Sequence, residues 1–461
     1  MILPKINIPQ KPIYINVATD IDFLELFRKI EKEYDNCFMF ESLGEKSRSS
    51  RYSVIGFAPE HIIRAKNNDL YFDEQKFTVK NPYESLREIV PQDIISRRYA
   101  GGLVGYLSYE AVNYFEPNLN VKIHDKFDQF MFGVYTDGLV FDNVTNQLFY
   151  FYYFTNRLPE IEILMNKEIK DKELFVQFRS DSLSETEHCA QVEIVKEYIR
   201  GGYTFQCEVG FKSEYEISGD AFKIYDKLRK VNPSPYMYYV KFGDPVKKDG
   251  AGIKLIGASP ELLFSLTQGE VETHPLAGTI KRGKTDLEDR QLARKLLNDP
   301  KEMAEHNMLV DMHRNDIGKV SQFGTVKIRS LMDIKKFSHV QHIGSEISGI
   351  IDSQQDMFSG LASLLPGGVL CGAPKIETIK IIDSMEKQAR GPYGGGVGLF
   401  GFNGDATFAI PIRTLFIADK YAYTQTCSGI VYDSIPYREY DEIQRKLAAM
   451  KQTLGQFCYY M

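Results

Sequence analysis

The stretch Thr204-Phe-Gln-Cys-Glu-Val-Gly-Phe-Lys212 alternates strictly: Phe205, Cys207, Val209 and Phe211 point one way, and Gln206, Glu208 and Lys212 the other. Period two is the mark of an extended strand with one face in a core. One apolar and one polar face suit an antiparallel sheet, half-buried, better than a parallel sheet covered on both sides. Gly101-Gly-Leu-Val-Gly-Tyr-Leu-Ser-Tyr109 and Leu148-Phe-Tyr-Phe-Tyr-Tyr-Phe154 are aromatic, β-prone runs of the same kind, and most such runs lie within residues 1–180. The polar segment Arg179-Ser-Asp-Ser-Leu-Ser-Glu-Thr186 reads as a linker. A helix follows, opened by a Ser184/Glu187 capping box and closed by Gly201-Gly202. Strands and helices do not alternate regularly, so the expected class is α+β, with antiparallel β-sheets and helices on their outer faces. The chain divides at the linker into regions 1–180 and 188–455.

Composition bounds the function. The 461 residues carry 56 Lys+Arg against 62 Asp+Glu, a formal charge of −6. That balance lacks the basic footprint of a nucleic-acid or anionic-membrane binder. No apolar run approaches the ~18 residues of a membrane span. Met1-Ile-Leu-Pro-Lys-Ile6 has neither the charged nor the apolar region of a signal peptide. Six scattered cysteines without a CxxC pair fit a reducing compartment, so a cytoplasmic chain is expected.

Two helices offer paired carboxylates. Asp299-Pro-Lys-Glu302 is a strong helix start, and Glu302 and Glu305 share a face three residues apart. From about Pro436, Glu439, Glu442 and Lys446 share a face while Tyr440, Ile443 and Leu447 form the apolar stripe. Two such pairs meeting around a hard cation would suit Mg²⁺, which takes a few carboxylates and completes its octahedron with water and substrate oxygens. Glu pairs at this spacing are also the ordinary makeup of a solvated helix face. His342 lies in the alternating run Phe337-Ser-His-Val-Gln-His342, where a histidine is more often a hydrogen-bonded structural residue than a base. Leu365-Pro-Gly-Gly-Val-Leu-Cys-Gly-Ala-Pro-Lys375 is a glycine-rich turn leading into a helix over 376–389. Its backbone N–H groups suit an anion, although the spacing is not that of a phosphate-binding P-loop. Arg413, after Ala409-Ile-Pro-Ile, suits bidentate carboxylate recognition. Acids for Mg²⁺, an arginine and anion-binding loops together describe a site for a small polyanion.

The chain also reads Gly257-Ala-Ser-Pro-Glu261, His274-Pro-Leu-Ala-Gly-Thr279, Lys301-Glu-Met-Ala-Glu-His306 through Arg314-Asn-Asp-Ile-Gly318, and Ser338-His-Val-Gln-His342. Gly372-Ala-Pro-Lys375, Gly391-Pro-Tyr-Gly-Gly395, Ile412-Arg413 and Gly429-Ile-Val-Tyr-Asp-Ser434 follow. The first half carries Glu41-Ser42, Arg51-Tyr-Ser-Val-Ile-Gly56 and Gly101-Gly-Leu-Val-Gly105. Taken together and in this order, these segments resemble the chorismate-utilising enzymes, in particular the anthranilate synthase component I family. The resemblance implies a sandwich of the antiparallel sheets. It implies amination of chorismate at ring C2 by ammonia, loss of the C4 hydroxyl, and elimination of pyruvate to give anthranilate, the first step of tryptophan biosynthesis.

The resemblance also assigns roles. Glu305 and Glu442 would hold Mg²⁺, supported by Glu302 and Glu439. Glu261 would be the general acid for the hydroxyl, which requires a raised pKa, and His342 the base for the C2 proton. Arg413 and Tyr393 would hold the enolpyruvyl side chain, and Lys446 with Gly278, Thr279 and Gly429 the ring carboxylate. Relatives that use water carry Lys where this chain has Gln206, and aminodeoxychorismate synthases typically carry Lys where it has Ala277, so both positions select ammonia and the ortho product. No glutaminase nucleophile elbow is present, which implies a separate glutamine amidotransferase subunit (component II) as partner. Glu41, Ser42, Arg51, Pro235, Tyr236 and Met237 match the family's effector region for feedback inhibition by L-tryptophan. Two other readings stand beside this one: a relative that stops at aminodeoxyisochorismate, and a non-catalytic tryptophan-binding regulatory subunit. The chain departs from the family pattern at Val369, Cys371, Cys427 and Pro411. Cys427 stands at a glycine position near the carboxylate, and Pro411 removes an N–H expected in a strand just before Arg413.

Overall fold

The computed structural model describes residues 2–43, 51–96, 98–244, 251–337 and 340–458; Ser338 and His339 of the His342 motif lie outside the described residues. Two large antiparallel sheets carry the fold. In the first, Cys37–Glu41 pairs with Tyr236–Gly243, which pairs with Gly252–Ser259, then Thr414–Ala418, Tyr421–Ile430, Gln206–Gly219 and Leu174–Asp181. In the second, Leu276–Lys281 and Val340–Ile350 lie toward one end, and Leu262–Thr267, Ala406–Ala409, Gly396–Gly401, Gly102–Leu107 and Phe130–Tyr135 follow. Each sheet draws strands from both sides of residue 181.

Alternation along single strands shows why the layers form. Phe38 enters the core between the sheets, while Cys37 and Met39 enter a second core under the helices. Val240 and Tyr239, and Phe416 and Ile417, divide in the same way. Phe38 meets Tyr135 of the opposite sheet edge-on at 4.7 Å, a favoured aromatic geometry. On the outer face the helices Phe23–Glu33, Phe222–Val231 and Pro436–Gly455 set Leu26, Phe27, Leu228, Met450 and Leu454 against the first sheet. This is the α+β sandwich with helices outside. Among the described residues no helix is long and apolar enough to cross a membrane.

The helix signals hold and the loops move. The Ser184/Glu187 capping box is present on Glu185–Arg200, with Gly201 as its cap and Gly202 in the left-handed region at φ +75°. Arg179–Asp181 of the expected linker belongs to a strand, leaving only Ser182–Ser184 as connection. The helix expected over 376–389 spans Lys375–Met385. Pro411 costs no ladder bond, because residues 410–413 connect the strands Ala406–Ala409 and Thr414–Ala418 rather than continuing either.

The largest correction concerns Gln206–Gly219. It is buried on both faces over Gln206–Ser213, so Gln206, Glu208 and Lys212 point inward rather than to water, while Phe205 just before it is 73 % exposed. The polar face of the amphipathic strand is an interior site. Beside it, the buried Arg390 donates to Glu386 through Nε and Nη2, to the Leu370 carbonyl and to the backbone carbonyl of Glu208. Glu386→Leu would leave that guanidinium buried without its counter-charge. It is expected to cost about 3–5 kcal/mol in denaturant unfolding; a loss under ~1 kcal/mol would show the pair to be dispensable.

Candidate active site

The inward face of Gln206–Gly219 meets the helices Pro300–Gly318 and Pro436–Gly455, whose first turns both begin with proline. Asp299 caps the first helix by accepting from the Lys301 and Glu302 amides. The Glu302 side chain does not reach back to the cap but lies toward Gly278. Gln206 donates from Nε2 to Glu305 at 3.2 Å and to Glu208 at 3.1 Å. Lys446 bridges Glu442 at 2.8 Å and the Cys427 carbonyl at 2.9 Å. Burial, then the neighbouring Glu305, pushes Glu302 up to about 7. Glu305 and Glu439 are also raised, chiefly by burial. In Glu442 burial is outweighed by Lys446, and its carboxyl sits below the usual range.

Among the described residues no three His, Cys, Asp or Glu side chains stand close enough to hold a metal ion between them. The four carboxylates nonetheless fit a hard divalent cation. They are oxygen donors on two helices, Glu439 buried and Glu302 and Glu305 partly so, and Glu302, Glu305 and Glu439 each feel the charge of Glu442. A cation held by one or two of them would rely on substrate and water for its remaining positions.

Glu261 and His342, the expected acid and base, lie on the second sheet's side. Glu261 is 4 % exposed and accepts from the Leu276 amide at 3.0 Å. Burial raises it to about 8, against the opposing pull of that amide and of Arg413. The pairing of Leu276–Lys281 with Val340–Ile350 slips between Ala277 and Thr279, which leaves Gly278 in the left-handed region at φ +66°. The bulge presents the Gly278 carbonyl to His342 Nδ1 at 3.0 Å, with the Thr279 hydroxyl at 3.1 Å. A carbonyl only accepts, so Nδ1 carries the hydrogen and Nε2 keeps its lone pair. Burial and then Arg413 lower the imidazole to about 3, which holds it neutral. Arg413 Nη2 lies 3.4 Å from that Nε2, and Arg413 itself is in the left-handed region at φ +50°, a position rare for a non-glycine residue.

Gly429 lines up with Glu208 across the strand pair, and a Cβ there would fall 2.2 Å from Gln206 Nε2 and 2.6 Å from Glu208 Oε1. Only glycine fits. Tyr393 is buried, and its hydroxyl lies 3.1 Å from Cys427 Sγ. Ala277 is buried beside Ile343 and offers no amine. Cys427 is not simply an obstruction at a glycine position: its Sγ lies 3.0 Å from Glu208 Oε2. Cys371 instead faces the Tyr109 hydroxyl, and Val369 packs on the central core. Glu208 is the group the motifs passed over. The alternation that placed it beside Gln206 was its only signal in the sequence.

The expected effector residues fall into two sets. Glu41 lies opposite Met237, and the Leu43 amide bonds the Ser234 carbonyl, so residues 41–43 run beside Pro235, Tyr236 and Met237. Glu41 accepts from Tyr225 and, through both oxygens, from Arg229. The Ser42 hydroxyl and the Asn232 amide nitrogen are buried without a partner among the described residues. Arg51 lies apart from these contacts and pairs with Asp142.

A buried carboxyl, a neutral imidazole, an arginine, a lysine and four carboxylates converge on one site whose charges suit a polyanionic substrate. The chain belongs to the chorismate-binding enzymes, whose family model matches residues 35–452. It is 49% identical to anthranilate synthase component 1 of Leptospira biflexa over 460 residues, covering 98% of each chain. It is 33% identical to aminodeoxychorismate synthase component 1 of Bacillus subtilis (strain 168) over 462 residues, 94% of each. Among solved structures it resembles anthranilate synthase component I from Streptococcus pneumoniae TIGR4, with a TM-score of 0.76 and 30% identity, covering 89% of this chain and 93% of that one. Enzymes of this family are generally Mg²⁺-dependent.

Proposed function

We propose that this chain is the chorismate-aminating large subunit of an anthranilate synthase. It takes ammonia released from glutamine by a component II partner and converts chorismate to anthranilate and pyruvate. The observation that carries the reading is the buried Glu261, held protonated near neutral pH within the electrostatic reach of Arg413 and Lys446.

Glu305 and Glu442, with Glu302 and Glu439 behind them, would hold Mg²⁺, which would supply Lewis-acid stabilisation of the charge that develops on the ring carboxylate. Lys446 and the backbone at Gly278, Thr279 and Gly429 would complete the hold on that carboxylate, and Arg413 and Tyr393 the hold on the enolpyruvyl group. Ammonia's lone pair forms the C2–N bond, the ring double bonds shift, and the C4–O bond breaks. Glu261 gives its proton to the departing hydroxyl, which leaves as water, and the new amine sheds one proton. His342 Nε2, free of hydrogen, then takes the C2 proton while the C3–O bond breaks, and the departing enolpyruvate takes a proton from water on its methylene carbon to become pyruvate.

Gln206 and Ala277 suit this chemistry because neither supplies an amine or a base for water. The same reading makes residues 1–180 the regulatory part and 188–455 the catalytic part of a cytoplasmic enzyme. L-tryptophan would bind between residues 41–43 and 232–237, where Ser42 and Asn232 hold unpartnered polar atoms. Arg51 and Glu41 would have to share their present partners with it.

The test is anthranilate fluorescence from chorismate, Mg²⁺ and ammonium, with and without EDTA. Metal-dependent anthranilate is expected, with almost none from glutamine in the absence of a partner. His342→Gln should consume chorismate and accumulate the aminated intermediate without releasing pyruvate. Untouched chorismate would favour the regulatory reading. An aminated product from the unaltered chain would favour the early-stopping relative.

A further inference from the structure

Gln206 is 2 % exposed, and its carbonyl oxygen is buried without a partner among the described residues, whereas its amide nitrogen has two. An orphan buried acceptor is costly, on the order of 1–3 kcal/mol, and in a native site it asks for a reason. The orientation is not arbitrary. Nε2 lies 3.1 Å from a Glu208 oxygen and 3.2 Å from a Glu305 oxygen, and two acceptor oxygens on one side place the NH₂ there and turn the carbonyl away. Glu208 is held in turn. Its second oxygen meets Cys427 Sγ at 3.0 Å, and the Tyr393 hydroxyl meets the same sulfur at 3.1 Å. Gly429 makes room for the arrangement, since a Cβ there would strike both Gln206 and Glu208.

We propose that Glu208, braced by Cys427, is a positioning residue that locks the Gln206 amide so that its carbonyl oxygen receives an N–H of the attacking ammonia. This rests on the site assignment above. If Glu305 lies on the metal side, the ring carboxylate is held beside it, and that carboxylate is borne by the neighbour of the carbon under attack. A group bonded to Glu305 is then next to the line of attack. Ammonia has N–H groups to spare for a carbonyl and keeps its lone pair free for C2. Water needs its proton removed to become a comparable nucleophile, and a neutral amide cannot remove it. The carbonyl thereby orients ammonia without serving water. The cysteine at the glycine position is the counterpart of the buried Glu208, not an isolated departure from the family pattern.

The test is steady-state anthranilate formation by the full chain with Mg²⁺, varying ammonium at saturating chorismate and the reverse. Glu208→Met is expected to raise the KM for ammonium about tenfold, the worth of one hydrogen bond, with the KM for chorismate within about twofold. Glu208→Gln still accepts from Gln206 and should restore most of the loss. Cys427→Ala should move the ammonium KM in the same direction and Cys427→Ser should not, which keeps the proposal testable if Glu208→Met does not fold. An unmoved ammonium KM in the folded variants overturns it. So does an equal rise for both substrates, which a merely structural defect would give, or a Glu208→Gln as impaired as Glu208→Met. Unaltered chain that makes no anthranilate from ammonium overturns the underlying assignment as well, whereas active chain with an unmoved ammonium KM in the variants overturns this proposal alone.

Discussion

Glu261→Gln is expected to lower kcat for anthranilate formation by about 10²–10⁴, the range a positioned general acid contributes. The substitution keeps the shape and an acceptor for the Leu276 amide, so folding and chorismate binding should persist while the proton for the leaving hydroxyl is lost. The pH dependence follows with a definite sign. Burial raises this carboxyl to about 8, and the active form is the protonated one. Activity measured at constant free ammonia should therefore decline as pH rises through about 8, and Glu261→Gln should lack that limb. Free ammonia must be held constant because it rises with pH and would mask the decline. Near-normal turnover in Glu261→Gln, or an alkaline limb that survives it, would remove Glu261 from the acid role.

The second large effect is expected at Glu305. Glu305→Gln should reduce Mg²⁺-dependent turnover by on the order of 10³, since several kcal/mol of transition-state charge stabilisation pass through the metal. It should also shift the Mg²⁺ titration to higher concentration. Stability should not follow activity. Burial raises the folded-state pKa of Glu305 above its ordinary value. A carboxyl raised in this way contributes stability below its unfolded pKa and loses it as pH climbs through the folded value. At neutral pH a neutral amide relieves that cost, so Glu305→Gln should unfold no more easily than the unaltered chain. A variant that is both inactive and markedly less stable would mean that Glu305 serves the fold and not a metal.

The site was legible in the sequence where chemistry needs fixed residue types at short spacing. Gly278 and Thr279 entered only with the family resemblance, whereas Glu302 with Glu305 and Glu439 with Glu442 could be singled out from local spacing. Glu208 could not, because its meaning depends on Cys427 and Gly429 across a strand pair more than two hundred residues away in the chain. Arg51 shows the reverse case. It stands in a matching motif, yet the described contact it makes is with Asp142 rather than with the other effector residues.

Local pattern determined the secondary structure and its layering. The period-two runs specified strands, Ser184 and Asp299 specified helix starts, and the apolar stripe of the last helix specified the face it buries. Only the tertiary structure decided which face of Gln206–Gly219 is the interior of a site. Alternation says that two faces differ, but not whether the polar one meets water or other buried polar groups. Two helices from distant parts of the chain supply those groups, and their charges desolvate together only once the sheets have paired. Pairing of that range leaves no trace in a window of sequence, because the partners are chosen by the packing of both sheets and not by their neighbours along the chain.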